Sequence, residues 1–147
     1  MKTLRQRAFA LLARREYSRS ELIQRLSDKK TDRVVVLALL DELVSKGWQS
    51  DQRFADEYVR THRHKYGKQH LVQVLKQHQI TDTVLQQVDF GDERCYALAL
   101  WRKKFGNLPR TATEKAKQIR FLITHGFSLS IASKIVNQKT LSEFEVE

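Results

Sequence analysis

The chain has 147 residues, 41% of them hydrophobic and 30% charged, a balance that allows a folded domain with its own core and excludes wholesale disorder. Its 27 Lys and Arg stand against 17 Asp and Glu, giving a formal charge of +10, so polyanionic partners are favoured over neutral ones. The single cysteine, Cys95, excludes an internal disulfide and any CxxC metal or redox motif, which suits a reducing cytosol.

Met1 to Arg7 is basic, but Arg14 and Arg15 interrupt the apolar residues after it, so no signal peptide is read there. The longest apolar run, Val34 to Leu40, is far too short for a membrane span. The expectation is a cytoplasmic protein, neither exported nor embedded.

Leu4, Ala8, Leu11 and Leu12 follow the i, i+4, i+7, i+8 spacing of a first amphipathic helix. Ser18 with Glu21 reads as a capping box, and Thr31 as an N-cap. Val34-Val35-Val36-Leu37 is β-branched enough for a strand, yet the apolar pattern runs on through Leu39, Leu40, Leu43 and Val44 to Gly47. That length predicts a helix buried on most sides. Ser50 opens the next helix, whose stripe is Phe54, Ala55, Tyr58 and Val59; Thr81 caps a later one. Tyr96, Ala97, Leu100 and Trp101 mark another, Thr111 with Glu114 a second capping box, and Ser128 a last N-cap. Gly47, Gly67, Gly106 and Gly126 stand where left-handed helix ends are expected. The one proline, Pro109, lies in a loop from Gly106 to Thr111.

The pattern repeats. Tyr17-Ser18, Leu22 and Leu26 return 49 residues later as Tyr66-Gly67, Leu71 and Leu75, and Thr31-Asp32-Arg33-Val34 returns 50 later as Thr81-Asp82-Thr83-Val84. A looser third copy lies 47 residues further on, pairing Val74, Leu75, Ile80, Thr81, Val84 and Val88 with Phe121, Leu122, Phe127, Ser128, Ile131 and Ile135. The fold class predicted is all-α, three tandem repeats of a three-helix unit forming an elongated, curved helical array. The units are placed at 1–48, 49–90 and 91–137, with an acidic, flexible tail at 138–147.

No P-loop, GxSxG, HExxH or dinucleotide fingerprint occurs, so neither catalysis nor a cofactor is indicated. His62 and His64 diverge on a helix, which disfavours zinc, and the adjacent carboxylates of Asp41-Glu42 and Asp56-Glu57 diverge likewise, which disfavours acid–base work. Cys95 is read as buried packing. Charge, however, is sorted along the chain. Tyr58 to Thr81 holds no acid but Arg60, Arg63, Lys65, Lys68, Lys76 and four histidines; Arg102 to Arg120 holds seven bases and the single acid Glu114; Asp41 to Glu57 holds five acids and two bases. The basic stretches would attract phosphates, against the plainer reading of a solvated face without a partner. Tyr17, Tyr66 and Phe105 near helix ends are candidates for stacking on bases, but their recurrence with the repeat favours packing between helices.

The stretch Gly47-Trp48-Gln49-Ser50-Asp51-Gln52-Arg53-Phe54-Ala55-Asp56-Glu57-Tyr58 resembles the RecX family of bacterial recombinase regulators, whose signature joins a Gly-aromatic helix end to D-x-x-R-F-A-x-x-Y. Leu12-Ala13-Arg14-Arg15-Glu16-Tyr17-Ser18 with Glu21-Leu22 resembles the opening of that family, and Glu114-Lys115-x-Lys117, Arg120-Phe121-Leu122 and Gly126-Phe127 resemble its third unit. The likeness covers Leu4 to Asn137. Gln79 departs from it where glycine is usual, and His125 where arginine is usual. The resemblance implies a regulator that binds the RecA filament on single-stranded DNA, within its helical groove, and restrains strand exchange, ATP hydrolysis and LexA cleavage. It supplies no catalytic residue. Candidate contacts with RecA or nucleic acid are therefore taken from charge: Arg60, Arg63, Lys65, Lys68, Lys76, Arg102, Lys103, Lys104, Lys115, Lys117 and Arg120. A monomer is expected. The rival readings are a free DNA- or RNA-binding helical module, for which Gln69 and His70 are weak base-reading candidates, and a protein-only adaptor.

Overall fold

The helices begin where a side-chain oxygen can take up an orphaned backbone amide. The computed structural model describes residues 2–138, and within them the chain forms nine α-helices and no strand. They are α1 (Leu4–Leu12), α2 (Arg19–Leu26), α3 (Arg33–Ser45), α4 (Asp51–His62), α5 (Lys68–Gln77), α6 (Asp82–Gln86), α7 (Glu93–Lys104), α8 (Ala112–Thr124) and α9 (Leu129–Val136). Ser18 and Glu21 close a reciprocal capping box, Ser50 accepts from the Arg53 amide, and Thr81 and Ser128 cap α6 and α9. Thr3 with Gln6 makes a further capping box at α1.

Two starts and one expected helix end differ from the expected chemistry. Asp32, not Thr31, caps α3, because the Thr31 amide donates to Asp28 Oδ1 in the turn before it. Thr111 does cap α8, but the Glu114 carboxylate accepts from the Arg110 amide at 2.7 Å, so the box is not reciprocal. Gly67 is no left-handed helix end. It is buried, and a Cβ there would lie 2.4 Å from the Gly126 carbonyl. Gly47, Gly106 and Gly126 do have positive φ, and so does Gln79 at φ 63°, the position where the resemblance noted above has glycine instead.

Two compact units are present. One holds the chain up to Tyr58 together with Leu75–Val88; the other holds Val59–Val74 together with the chain from Asp89 onward. In the first unit α1 packs on α2 and α2 on α3 around Ala8, Tyr17, Leu22, Leu26, Val36, Leu40 and Leu43. Helix α3 is not buried on most sides: Val36, Leu39, Leu40 and Leu43 form one inward stripe, while Val34 is 70% and Val35 54% exposed. The long apolar run is thus an amphipathic helix with apolar residues on its wet face as well. Leu75–Val88 is tied to this unit by the Ser20 hydroxyl, which donates to the His78 carbonyl, and by the Phe54 ring against His78.

In the second unit α7, α8 and α9 pack on one another around Trp101, Leu122, Phe127, Ala132 and Ile135, each at most 1% exposed. Trp101 stays fully buried because its indole N–H donates to Gln118 Oε1 at 2.8 Å, while Gln118 Nε2 donates to the Asn107 carbonyl. Of the tail expected at 138–147 only Gln138 is described, and it is buried; the remainder lies outside the described residues.

Candidate functional site

The two units divide the charge unequally. Residues 59–74 and 89–138 carry thirteen Lys and Arg against four Asp and Glu, and ten of the eleven predicted contact residues lie there, Lys76 belonging to the other unit. In the first unit many cations are matched, as in the ion pairs Arg7–Asp28, Arg15–Glu21, Arg19–Asp41, Lys46–Glu42 and Arg53–Glu16.

The second unit is assembled around a close backbone approach. The Gly67 amide donates to the His125 carbonyl at 2.7 Å and the Gln69 amide to the Gly126 carbonyl at 3.3 Å, so the N-terminus of α5 sits on the C-terminus of α8. Orphaned donors of one helix thereby satisfy orphaned acceptors of the other, with the helix dipoles aligned favourably. The Lys68 amide is taken up by Glu93 Oε2, from the first turn of α7.

This contact stacks four rings. Tyr66 lies on His70 at 4.1 Å between centroids and faces His125 at 6.0 Å, and His125 packs on Phe121 at 4.3 Å. The His125 Nδ1 is 2.8 Å from the Phe121 carbonyl, an acceptor only, so Nδ1 carries the proton. Above these rings lies a groove of about 420 Å³, lined by Lys65, Tyr66, Leu100, Lys103, Lys104, Phe121 and His125. Lys103 and Lys104 come from the last turn of α7, where positive charge also steadies the helix end. The Lys104 ammonium lies 5.8 Å from the centre of the Phe121 ring. Cations on a rim over half-buried aromatic rings can take phosphates and planar or apolar groups at once.

The fold therefore gathers Lys65, Lys103 and Lys104 out of the predicted set. Arg102 is exposed beside them in sequence. Arg63 is half-buried with its guanidinium 5.3 Å from the centre of the Tyr96 ring, and the Lys68 ammonium lies over Phe90, so both are partly committed to packing. Arg60, Lys115 and Arg120 are exposed, as is Lys117, which lines a separate recess with Arg110 and Glu114. Lys76 is exposed on α5. Phe121 and His125, which form the groove floor, were not anticipated as a site. Of the proposed base-stackers, Tyr17 is buried beneath Arg15 and Phe105 packs edge-on to Phe121; only Tyr66 reaches the groove.

Cys95 is exposed rather than buried, because it lies in the first turn of α7, where its thiol donates to the capping carboxylate of Asp92. That hydrogen bond, with a little burial, pushes the thiol up from its ordinary value, a direction that disfavours the reactive thiolate. Among the described residues no cluster of His, Cys, Asp and Glu is arranged to hold a metal, and no helix is long and apolar enough to cross a membrane.

Comparison with known proteins adds three findings. The model of the second three-helix domain of RecX matches residues 50–88, and that of the third matches residues 92–136. The regulatory protein RecX of Chromobacterium violaceum is 40% identical over 136 residues, 92% of this chain and 90% of that protein; its counterpart in Ralstonia nicotianae is 38% identical over 137 residues, 91% of this chain and 86% of that one. The crystal structure of RecX from Lactobacillus salivarius superposes with a TM-score of 0.77 at 18% identity, covering 90% of this chain and 92% of that chain, a likeness of fold.

Proposed function

This chain belongs to the RecX family of regulatory proteins, which are not enzymes, and from that premise we propose that it modulates RecA by binding the RecA filament on single-stranded DNA. In this reading the groove of the second unit faces the filament or its DNA, and binding restrains strand exchange, ATP hydrolysis and coprotease cleavage. The chain would act as a cytoplasmic monomer without a cofactor, built from three-helix units at 1–48, 49–90 and 91–137.

The observation that carries the proposal is the gathering of Lys65, Lys103 and Lys104 around the rings of Tyr66, Phe121 and His125. If each lysine neutralises one phosphate of a single strand, these three contribute a slope of about −2 to the logarithmic salt dependence of binding. Of the two weak base-reading candidates, the His70 ring is stacked on Tyr66, while the Gln69 side chain is exposed.

The test is RecA ATPase on single-stranded DNA with this protein added at substoichiometric levels. Inhibition is expected from the natural chain and at least about tenfold weaker inhibition from K103E/K104E, while thermal stability changes by no more than about 1 kcal/mol, as is usual for exposed substitutions. No inhibition by the natural chain would remove the RecA reading. Equal inhibition by the variant would place the contact elsewhere on the molecule.

A further inference from the structure

The groove of the second unit holds one side chain that can change both its charge and its hydrogen-bonding role. Lys65, Lys103 and Lys104 line it as donors only, whereas histidine gains or loses its charge between about pH 5 and 8. His125 is held in one orientation. Its Nδ1 proton goes to the Phe121 carbonyl at 2.8 Å, its ring packs on Phe121 at 4.3 Å, and Tyr66 faces it at 6.0 Å between centroids. A proton fixed on Nδ1 decides what the other nitrogen offers. In the neutral ring Nε2 presents a lone pair and can only accept; in the protonated ring it is a charged donor. Nε2 makes no hydrogen bond among the described residues and yet is not buried, so it is open to an incoming group.

The surroundings say which group that is. From α7 come Lys103 and Lys104, from the turn before α5 come Lys65 and Tyr66, and His70 of α5 is stacked on Tyr66; α8 itself adds Phe121 and its own C-terminus. No carboxylate lines the groove. An anion placed among three ammonium groups cancels their repulsion of any further cation. We propose that His125 is the residue by which the groove selects phosphate: an oxygen that enters among Lys65, Lys103 and Lys104 is held in full only when His125 Nε2 takes a proton from solvent and donates it as a fourth cation. A neutral ring would turn its lone pair toward those of the anion, two acceptors with no hydrogen between them. Binding and proton uptake are therefore one event, and each strengthens the other by the same factor. The inference rests on the groove being the anion-binding face, not on the partner being RecA.

The test measures binding of a fluorescent oligothymidylate, whose charge is constant over the interval used, at about pH 8 and about pH 5.5, either side of the ordinary histidine value. Two variants bracket the natural chain. H125N keeps a donor for the Phe121 carbonyl but is never charged, and H125R is always charged. At the higher pH the natural chain should match H125N and bind about three- to fivefold more weakly than H125R; at the lower pH it should match H125R and bind about three- to fivefold more tightly than H125N, the upper range of an exposed ion pair. The other histidines are common to all three proteins, so their contribution cancels in these ratios. Calorimetry in buffers of different ionisation heat should show the natural chain taking up to about one proton more than H125N on binding. Ratios unchanged with pH, or no binding of the oligonucleotide, would overturn the proposal. Binding without proton uptake by the natural chain would do so whatever the variants show. Coupled uptake in a protein that never inhibits the RecA ATPase would uphold the role of His125 and count against the partner reading alone.

Discussion

Replacing Gly67 by alanine adds one methyl group where only backbone surrounds it. The new Cβ would lie 2.4 Å from both C and O of Gly126 and 2.6 Å from the amide nitrogen of Phe127. None of these atoms can rotate aside as a side chain would, so the N-terminus of α5 must separate from the C-terminus of α8. The hydrogen bonds from Gly67 to His125 and from Gln69 to Gly126 are then stretched or lost. Overpacking of this kind costs about 1–3 kcal/mol, and two weakened hydrogen bonds add about 1 kcal/mol each. The sum is about 3–5 kcal/mol, or roughly 9–15 °C in Tm for a chain of this size. Gly47 is the control, because its φ is +76° but a Cβ there meets nothing within 4 Å. G47A therefore suffers only the left-handed backbone penalty of about 1–2 kcal/mol. Urea unfolding of both variants, followed by circular dichroism, measures the difference. If G67A were no less stable than G47A, the close approach of α5 and α8 would not be the constraint described, and the groove built on it would lose its foundation.

Gln79 tests the opposite case: with φ at 63°, Q79G relieves backbone strain and should stabilise the chain by about 0.5–1 kcal/mol in urea unfolding, after the greater freedom of glycine in the unfolded state is allowed for. Gln118→Ala leaves the buried Trp101 N–H without its acceptor, so a loss of about 1–3 kcal/mol is expected, and the double change W101F/Q118L should lose less than the sum of its parts. Burial pushes the Glu21 carboxyl up, but the Arg15 guanidinium and the Ser18 amide outweigh it and hold the group below its ordinary value of 4.5. Its folded value being the lower, Glu21 contributes stability in full above pH 4.5 and loses it as the pH falls through that depressed value. The stability gap between the natural chain and E21Q should accordingly be widest near neutrality and close in acid, and a gap that widened below pH 4 would reverse the sign argued here.

Local chemistry was legible in the sequence because both partners lie within one turn: Ser18 and Glu21 meet as their spacing requires, and the stripe of Phe54, Ala55 and Val59 is buried as periodicity demands. The same spacing misleads at Thr111 and Glu114, where the neighbouring Arg110 amide offers the carboxylate an equally short reach. Gly67 shows the sharper limit. A glycine serves equally for a left-handed turn or for a close approach, and only the residues facing it decide, here Gly126 and Phe127, almost sixty positions away. The groove was half legible for that reason. Charge sorting marked Lys65, Lys103 and Lys104, but nothing local brings Tyr66 to His125 and Phe121, and a cation count cannot separate these lysines from Arg63, which lies against Tyr96.

The first unit is not built from one stretch of chain: it includes Leu75–Val88, tied to it through His78, as well as the residues up to Tyr58. During synthesis, therefore, the first 58 residues emerge from the ribosome before the strip that finishes them, and Phe54 waits for His78 while sixteen residues destined for the other unit go by. The order of synthesis and the order of completion differ, so a nascent chain arrested before Val88 presents unfinished apolar surface to chaperones, however good its individual helices are.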